Sequence, residues 1–369
     1  MAITLPNLGA QPTKAEPANA TTRNEEFQPR TIPEDAYPGL DPEWRELWNT
    51  HGSHIIRSDE VTLEEYREDP TKYSFTYATH SGSQSRRPLH PRHQPPGEIQ
   101  IRIYSPAGPG PFPVHFNFHG GGWVVGSLES ERAWCRHMCN EVGLKVIDVA
   151  YRKGPEFPFP TAIYDCWDAV KWARQNATST SINVDPESVS FGGLSAGGHM
   201  SAVLAHFARD EGVPIKLHLM IVPATDMRYC HRRITRLDAT NCPYPSAVEL
   251  QDLPWSPLGR EQWFLKYWLG DNDKTQDRAF SSWIMTPMLA ASFEGLPRAH
   301  VVTAEFDLER DEGEAYARKL REAGNTVTSK RYQGVPHAFA HYNHPERGLT
   351  KSFEFIEDTS KLLREVHFG

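Results

Sequence analysis

Apolar and polar positions along this chain change rhythm more than once, and each change predicts a different element. From 41 to 68 the apolar residues fall at helical spacing, with Trp44, Leu47 and Trp48 at i, i+3 and i+4 and Val61, Leu63 and Tyr66 behind them. A Pro- and Arg-rich stretch around 80–97 reads as a loop between two extended runs. Residues 99–104 and 114–118 alternate with a period of two, as half-buried strands do, and 146–150 reads as a mostly buried strand. A helix is predicted over 161–175, with Ile163, Trp167, Val170 and Ala173 on one face. A short strand at 189–191 runs into glycines, followed by a helix from 196 to about 208. Strands at 217–222, 299–303 and 327–332 follow, with a helix over 312–322 between the last two and a closing helix over 349–366. This alternation predicts an α/β fold, a mainly parallel sheet with helices on both faces.

One stretch breaks the rhythm. Residues 225–296 contain Trp255, Trp263, Phe264, Tyr267, Trp268 and Trp283 and show no strand pattern. A structureless loop of that size does not suit a compact domain, so a helical insertion is expected, with most of its aromatics forming its own core. The expected organisation is an N-terminal extension with cap helices over 1–70, a first part of the α/β core over 71–224, a helical cap insertion over 225–296 and a second part of the core over 297–369. The polar, Pro-, Ala- and Thr-rich first 30 or so residues are expected to be flexible or draped over the body.

Composition narrows the function classes. The 369 residues are 38% hydrophobic, enough for a sizeable core, and carry a formal net charge of -8. A mildly acidic chain without a long basic block argues against a nucleic-acid partner, because such binding needs Lys and Arg to neutralise phosphates. The one basic cluster, Arg86, Arg87, His90, Arg92 and His93, lies among prolines and reads as a solvated loop. No basic start with an apolar h-region and no apolar run of about 18 residues is present, so neither a signal peptide nor a membrane span is expected. The five cysteines are odd in number and scattered, and reduced thiols in a cytoplasmic enzyme are the expectation. Cys135 and Cys139 sit one helical turn apart but lack a second ligand pair, so they read as structural thiols rather than half of a metal site. In that setting the sequons at Asn19 and Asn176 carry no meaning.

The chemistry sits in pieces that each follow a predicted strand. Gly193-Leu194-Ser195-Ala196-Gly197 lies between a strand and a helix, the context of a nucleophile elbow, where flanking glycines permit the tight turn and expose the serine Oγ. His119-Gly120-Gly121-Gly122-Trp123 follows the strand ending at Phe118; consecutive glycines there let backbone N–H groups approach an oxyanion. Asp307 follows the strand around 301–303 and could hold an imidazole, with Glu305, Glu309 and Asp311 as rivals in the same acidic stretch. His337, in Gly334-Val-Pro-His337-Ala-Phe339, is one of 17 histidines, singled out by its post-strand loop and its place after the acid. Ser195, Asp307 and His337 then run in the order nucleophile, acid, histidine.

These residues resemble the hormone-sensitive-lipase-like carboxylesterases, the fold-3 branch of the α/β-hydrolases. The resemblance spans roughly 98–366 and also includes Tyr151-Arg-Lys-Gly-Pro-Glu156-Phe-Pro-Phe-Pro160 and Asp307-Leu-Glu-Arg-Asp-Glu-Gly313. It implies an α/β-hydrolase fold with a cap from the N-terminal segment and the insertion. It also implies a Ser195–His337–Asp307 triad, an oxyanion hole from the N–H groups of Gly121, Gly122 and Ala196, and no metal or organic cofactor. Trp123 and Leu194 are expected to touch substrate, a small-molecule ester with a short to medium acyl group and an aromatic or secondary-metabolite alcohol among the candidates. Two copies pairing through the last strand as a homodimer is a further family expectation. The chain departs from the family pattern at Leu194, where Asp is usual, at Lys153-Gly154 in place of Leu-Ala, and at Leu308-Glu309 in place of Pro-Leu. The same triad would serve an amidase or deformylase, a lactonase or an acyltransferase; a non-catalytic receptor built on this fold typically loses the histidine, which is present here.

Overall fold

The computed structural model describes residues 28–73, 85–89 and 97–369, with 85–89 described by backbone alone. Its strands are β1 (Ser85–Leu89), β2 (Ile99–Tyr104), β3 (Phe112–Phe118), β4 (Lys145–Ala150), β5 (Val184–Leu194), β6 (Leu217–Ile221), β7 (Ala299–Phe306) and β8 (Val327–Pro336). They form one sheet in the order β1-β2-β4-β3-β5-β6-β7-β8. The pairs β1–β2 and β2–β4 are antiparallel and every other neighbouring pair is parallel. Phe116, Phe118, Ile147, Phe191 and Leu219 are completely buried in it. Each such side chain contributes about 1.5–3 kcal/mol of burial.

The strand order positions the site. From β3 the chain moves outward to β4, and then β5 enters on the other side of β3. The connections leaving the carboxyl ends of β3 and β5 therefore diverge and open a crevice between them, the usual place for a ligand in a sheet of this kind. Among the helices, α4 (Thr161–Gln175) packs against α5 (Ala196–Asp210), which rests on β5 and β6; α9 (Arg310–Glu322) covers β7 and β8. The short α3 (Arg132–His137) runs on into a wider turn, 138–142, against which the closing α10 (Thr350–Phe368) packs.

The structure corrects the reading of 80–97 as a loop: residues 85–89 pair with 99–103 as an outer strand. Pro88 explains both the misreading and its tolerance, because a strand at the sheet edge has one side where a missing N–H costs nothing. His90, Arg92 and His93 of the basic cluster, Asn19 and the first 27 residues lie outside the described residues. β5 also begins earlier than its apolar run, at Val184, with Asp185, Pro186 and Glu187 inside it.

Two segments far apart in sequence meet above the carboxyl ends. The first supplies α1 (Pro42–Leu47) and α2 (Leu63–Glu68), each with a polar cap: Asp41 accepts from the Glu43 N–H, and Thr62 and Glu65 form a reciprocal capping box. Each cap contributes about 1 kcal/mol. The second supplies α6 (Pro245–Leu250), α7 (Leu258–Leu269) and α8 (Asp273–Phe280). Trp44 lies edge-on to Trp255 at 5.6 Å, the Trp263 indole donates to the Val61 carbonyl at 2.8 Å, and the Leu63 N–H donates to the Tyr267 hydroxyl at 3.1 Å. All five cysteines are unpaired and buried, and burial pushes the Cys139 thiol up to about 11. Among the described residues no helix is long and apolar enough to cross a membrane.

Candidate active site

Strand register assembles the chemistry. Phe118 pairs with Gly193, so the loop leaving β3 starts beside the turn leaving β5. Phe306 pairs with Pro336, so Asp307 and His337, each the next residue in its chain, emerge side by side. The two pairings account for the four pieces that the sequence offers separately.

Ser195 occupies a turn with φ 58° and ψ −115°. For a residue with a side chain this conformation costs on the order of 1–3 kcal/mol and needs surrounding structure to hold it. The Ser195 N–H donates to the Ile221 carbonyl at 2.8 Å, and the Ser195 carbonyl accepts from the His199 N–H at 2.9 Å. The turn also has no room: a Cβ at Gly197 would collide with the Phe118 carbonyl oxygen. Ser195 Oγ has no hydrogen-bond partner among the described residues and the residue opens onto a cavity of about 610 Å³. The N–H of Ala196 is the first of α5, an end position with no acceptor inside the helix.

Facing it, Gly121 and Gly122 adopt φ 119° and 54°, and the Gly121 carbonyl accepts from the N–H groups of Val124 and Val125 at 3.1 and 2.9 Å. This closes a tight turn whose own Gly121 and Gly122 N–H groups have no acceptor among the described residues. A Cβ on Gly122 would strike the Phe264 ring, so the loop and α7 approach in a way only glycine permits. The loop is pinned from behind: Tyr151 donates to the His119 carbonyl at 2.8 Å, and its ring stacks on His119 at 4.1 Å.

His337 Nδ1 donates to Asp307 Oδ2 at 2.8 Å, and both side chains are buried. Of the rival acids, Asp307 is the one bonded to the imidazole. Asp307 Oδ1 also accepts from the Glu309 N–H at 3.0 Å, which fixes the carboxylate's orientation. Glu305 instead accepts from the Gly334 N–H, and Asp311 pairs with Arg310 and the Ser246 N–H. Glu309 is buried beside the pair, with Oε2 3.8 Å from His337 Nδ1 and without a hydrogen bond. Burial, and then the charges of Glu261, Asp307 and Glu312, raise the Glu309 carboxyl well above its ordinary range. For His337, burial opposes the charge, but Asp307's charge and hydrogen bond, with Glu261 behind them, outweigh burial and raise its pKa.

Of the remaining sequence candidates, Leu194 lines the cavity with Gly120, Gly121 and Gly122. Trp123 does not, which corrects its expected contact with substrate. Its own positive φ of 62° turns the indole away from the loop into the core, where it is 1% exposed, stacks on Trp268 at 4.1 Å and donates to His199 Nδ1 at 3.3 Å. Beyond the reacting groups the cavity wall is aromatic, with Trp44, Trp48, Tyr66, Trp255, Phe264 and Tyr342.

Two residues in the site escaped the sequence reading. Glu131 is buried and one of its oxygens accepts from the Gly120 N–H at 3.1 Å and from His341 Nε2 at 2.9 Å. It thereby ties the glycine loop to the turn that carries His337. Burial would raise the Glu131 carboxyl, but the His341 hydrogen bond and the neighbouring imidazoles and amide lower it, so it is a carboxylate. Its partners are 11 and 210 positions away in sequence, and no local pattern announces them.

Comparison with known proteins follows from this geometry. A family model described as alpha/beta hydrolase fold matches residues 115–341. An arylesterase of Saccharolobus solfataricus is 36% identical over 243 residues, covering 66% of this chain and 73% of that protein. The carboxylic ester hydrolase LipN of Mycobacterium tuberculosis is 36% identical over 250 residues, covering 66% of this chain and 62% of its own length. A solved esterase of Pyrobaculum calidifontis superposes with a TM-score of 0.72 at 28% identity, over 88% of this chain and 98% of that one.

Proposed function

From the premise that the chain belongs to the hormone-sensitive-lipase-like branch of the alpha/beta-hydrolase family and is a carboxylic ester hydrolase, we propose that it works through an acyl-enzyme on Ser195, with His337 as base and Asp307 as its partner. The observation that carries this reading is the convergence in one cavity of an unpartnered, strained serine, a histidine anchored on a buried carboxylate, and a glycine turn with free amides.

Each step has its group. His337 Nε2 takes the Ser195 proton as Oγ attacks the acyl carbon, and Asp307 stabilises the imidazolium that results. The N–H groups of Gly121, Gly122 and Ala196 receive the negative charge of the tetrahedral intermediate; one such donor is typically worth about 3 kcal/mol. His337 then gives the proton to the leaving alcohol; it next takes a proton from the water that attacks the acyl carbon and passes it to Ser195 Oγ as the acid is released. The hydrogen bond between Ser195 Oγ and His337 that the first proton transfer needs forms when substrate arrives. The aromatic wall supports esters with a short to medium acyl chain or an aromatic moiety. The N-terminal helices and the 225–296 insertion act together as the cap that closes over them. The reading also includes a cytoplasmic setting and a homodimer joined along β8, the outer strand on that side of the sheet.

The test is turnover of para-nitrophenyl esters of graded chain length beside matching anilides, with a phosphonate adduct mapped by mass spectrometry. Ester turnover that vanishes in Ser195→Ala, with the adduct on Ser195, is the expected result. Undiminished turnover in that variant sinks the reading, and anilides cleaved faster than esters replace it with an amidase.

A further inference from the structure

The charged residues around the cavity are unevenly partnered. Among the described residues, four cations and two carboxylates line it: Arg57, Arg67, Lys153 and Arg260 against Glu129 and Glu261. Arg57 is held by Asp59 through two hydrogen bonds of 3.0 Å. Arg67 donates to Glu156 at 2.6 Å and to the Val124 and Gly154 carbonyls at 3.2 and 2.7 Å. Arg260 donates to Ser256 and lies over the Phe264 ring at 5.1 Å. Glu129 is taken up by Arg102 and Arg132. The Lys153 ammonium has neither a hydrogen bond nor an ion pair among the described residues, while the Lys153 carbonyl accepts from the Phe157 N–H at 3.0 Å.

Its backbone, by contrast, is fixed on both sides. Arg152 clasps the buried Asp165 with Nε and Nη2 at 2.9 and 2.7 Å, and the Gly154 N–H donates to the Trp123 carbonyl at 3.1 Å. Gly154 is hemmed in, because a Cβ there would come within 2.8 Å of the Tyr267 carbonyl oxygen. A lysine on a loose loop swings its ammonium out to water. Lys153 instead stands on a clamped ledge after β4, half-buried and close to the positive Arg67; burial first and Arg67 second lower its pKa, outweighing the opposite pull of Glu156, which is itself bonded to Arg67. A cation held in such a place gains most from an anion that is not part of the chain.

We propose that Lys153 recognises an ionised acidic group on the substrate, so that the preferred esters carry a carboxylate or an equivalent oxyanion in addition to the scissile bond. This rests on the ester-hydrolase reading and assigns its substrate class. With Arg67 next to it and an aromatic wall beyond, the cavity suits a partly aromatic or apolar ester with one anionic end.

The test compares matched pairs. One arm places the charge on the acid side, mono-(para-nitrophenyl) glutarate against para-nitrophenyl pentanoate. The other places it on the alcohol side, para-acetoxybenzoate against its methyl ester. In Lys153→Met, and in Lys153→Gln as a second variant, the ratio of kcat/KM for anionic over neutral ester is expected to fall at least about fivefold in one arm, the loss of one charge-assisted contact. The fall should appear in KM, and Lys153→Arg should retain the wild-type ratio. In the wild type, about 0.5 M salt should lower the same ratio by screening. A smaller change in both arms, or a wild-type ratio insensitive to salt, overturns the proposal. Wild-type turnover of the neutral esters and its loss in Ser195→Ala are read in the same assays, so a failure here is separate from a failure of the ester-hydrolase reading.

Discussion

The ends of the sheet and the wall above them are built by different means. At the sheet ends, backbone pairing places the groups: Phe118 with Gly193 and Phe306 with Pro336 bring four loops into one crevice before any side chain is considered. The wall is built by side chains, through contacts such as Trp44 on Trp255 and Trp263 on the Val61 carbonyl, between segments about 200 residues apart. A hydrogen-bonded ladder cannot slip by one residue without turning every side chain over, whereas a packed aromatic interface tolerates volume-conserving exchange. The sheet ends therefore carry the constant part of the chemistry and the wall the adjustable part. In kinetic terms, changes at the sheet ends should appear in kcat, and changes in the wall mainly in KM.

The largest effect expected is that of Asp307→Asn, which leaves the geometry but not the charge and the correct tautomer of His337; kcat should fall by about 10⁴-fold in steady-state ester hydrolysis. A fall of less than tenfold would mean that the neighbouring Glu309 can substitute for it, and that strand register does not select the acid. Next is Glu131→Gln, which keeps the size of a buried residue but gives up the charge that His341 and the Gly120 N–H share. A loss of about 10²-fold in kcat with little change in KM is expected, smaller than removal of an oxyanion donor because Glu131 acts through the loop. Phe264→Leu, in the wall, should raise KM several-fold and leave kcat nearly unchanged; an effect on kcat alone would break the comparison.

The smallest expected effect is on pH dependence. In the proposed mechanism His337 is neutral when it accepts the serine proton, and its pKa is raised, so activity should climb with pH through a midpoint above the ordinary histidine value of about 6.5. Glu261 belongs to the wall yet contributes to that rise, so Glu261→Gln should move the midpoint down, as read from kcat/KM profiles. A midpoint that stays in place would leave the wall without influence on the base.

The amino-acid pattern disclosed most of the sheet and the strand-end residues that meet in the cavity, because alternation and post-strand glycines are local signals. It hid β1, whose Arg-Arg-Pro run looks like a loop and is a strand only by virtue of its neighbour. Trp123 was misplaced because proximity to three glycines says nothing of where a side chain points, and a φ of 62° reverses the direction. The choice of Asp307 over Glu309 depended on which carboxylate meets the imidazole, something register decides and composition does not. Glu131 and His341 were out of reach because their link is purely tertiary.

The insertion over 225–296 leaves the sheet after β6 and returns at β7, and these two strands are direct neighbours, with Ile221 paired to Val302. Its exit and re-entry points are thus tied together by the ladder itself, whatever the length or content of the excursion. Such an arrangement behaves as a cassette: the stretch can change in length or content without moving the strand ends that flank it, and it reaches the site only through side chains such as Phe264 against Gly122 and Glu261 beside His337.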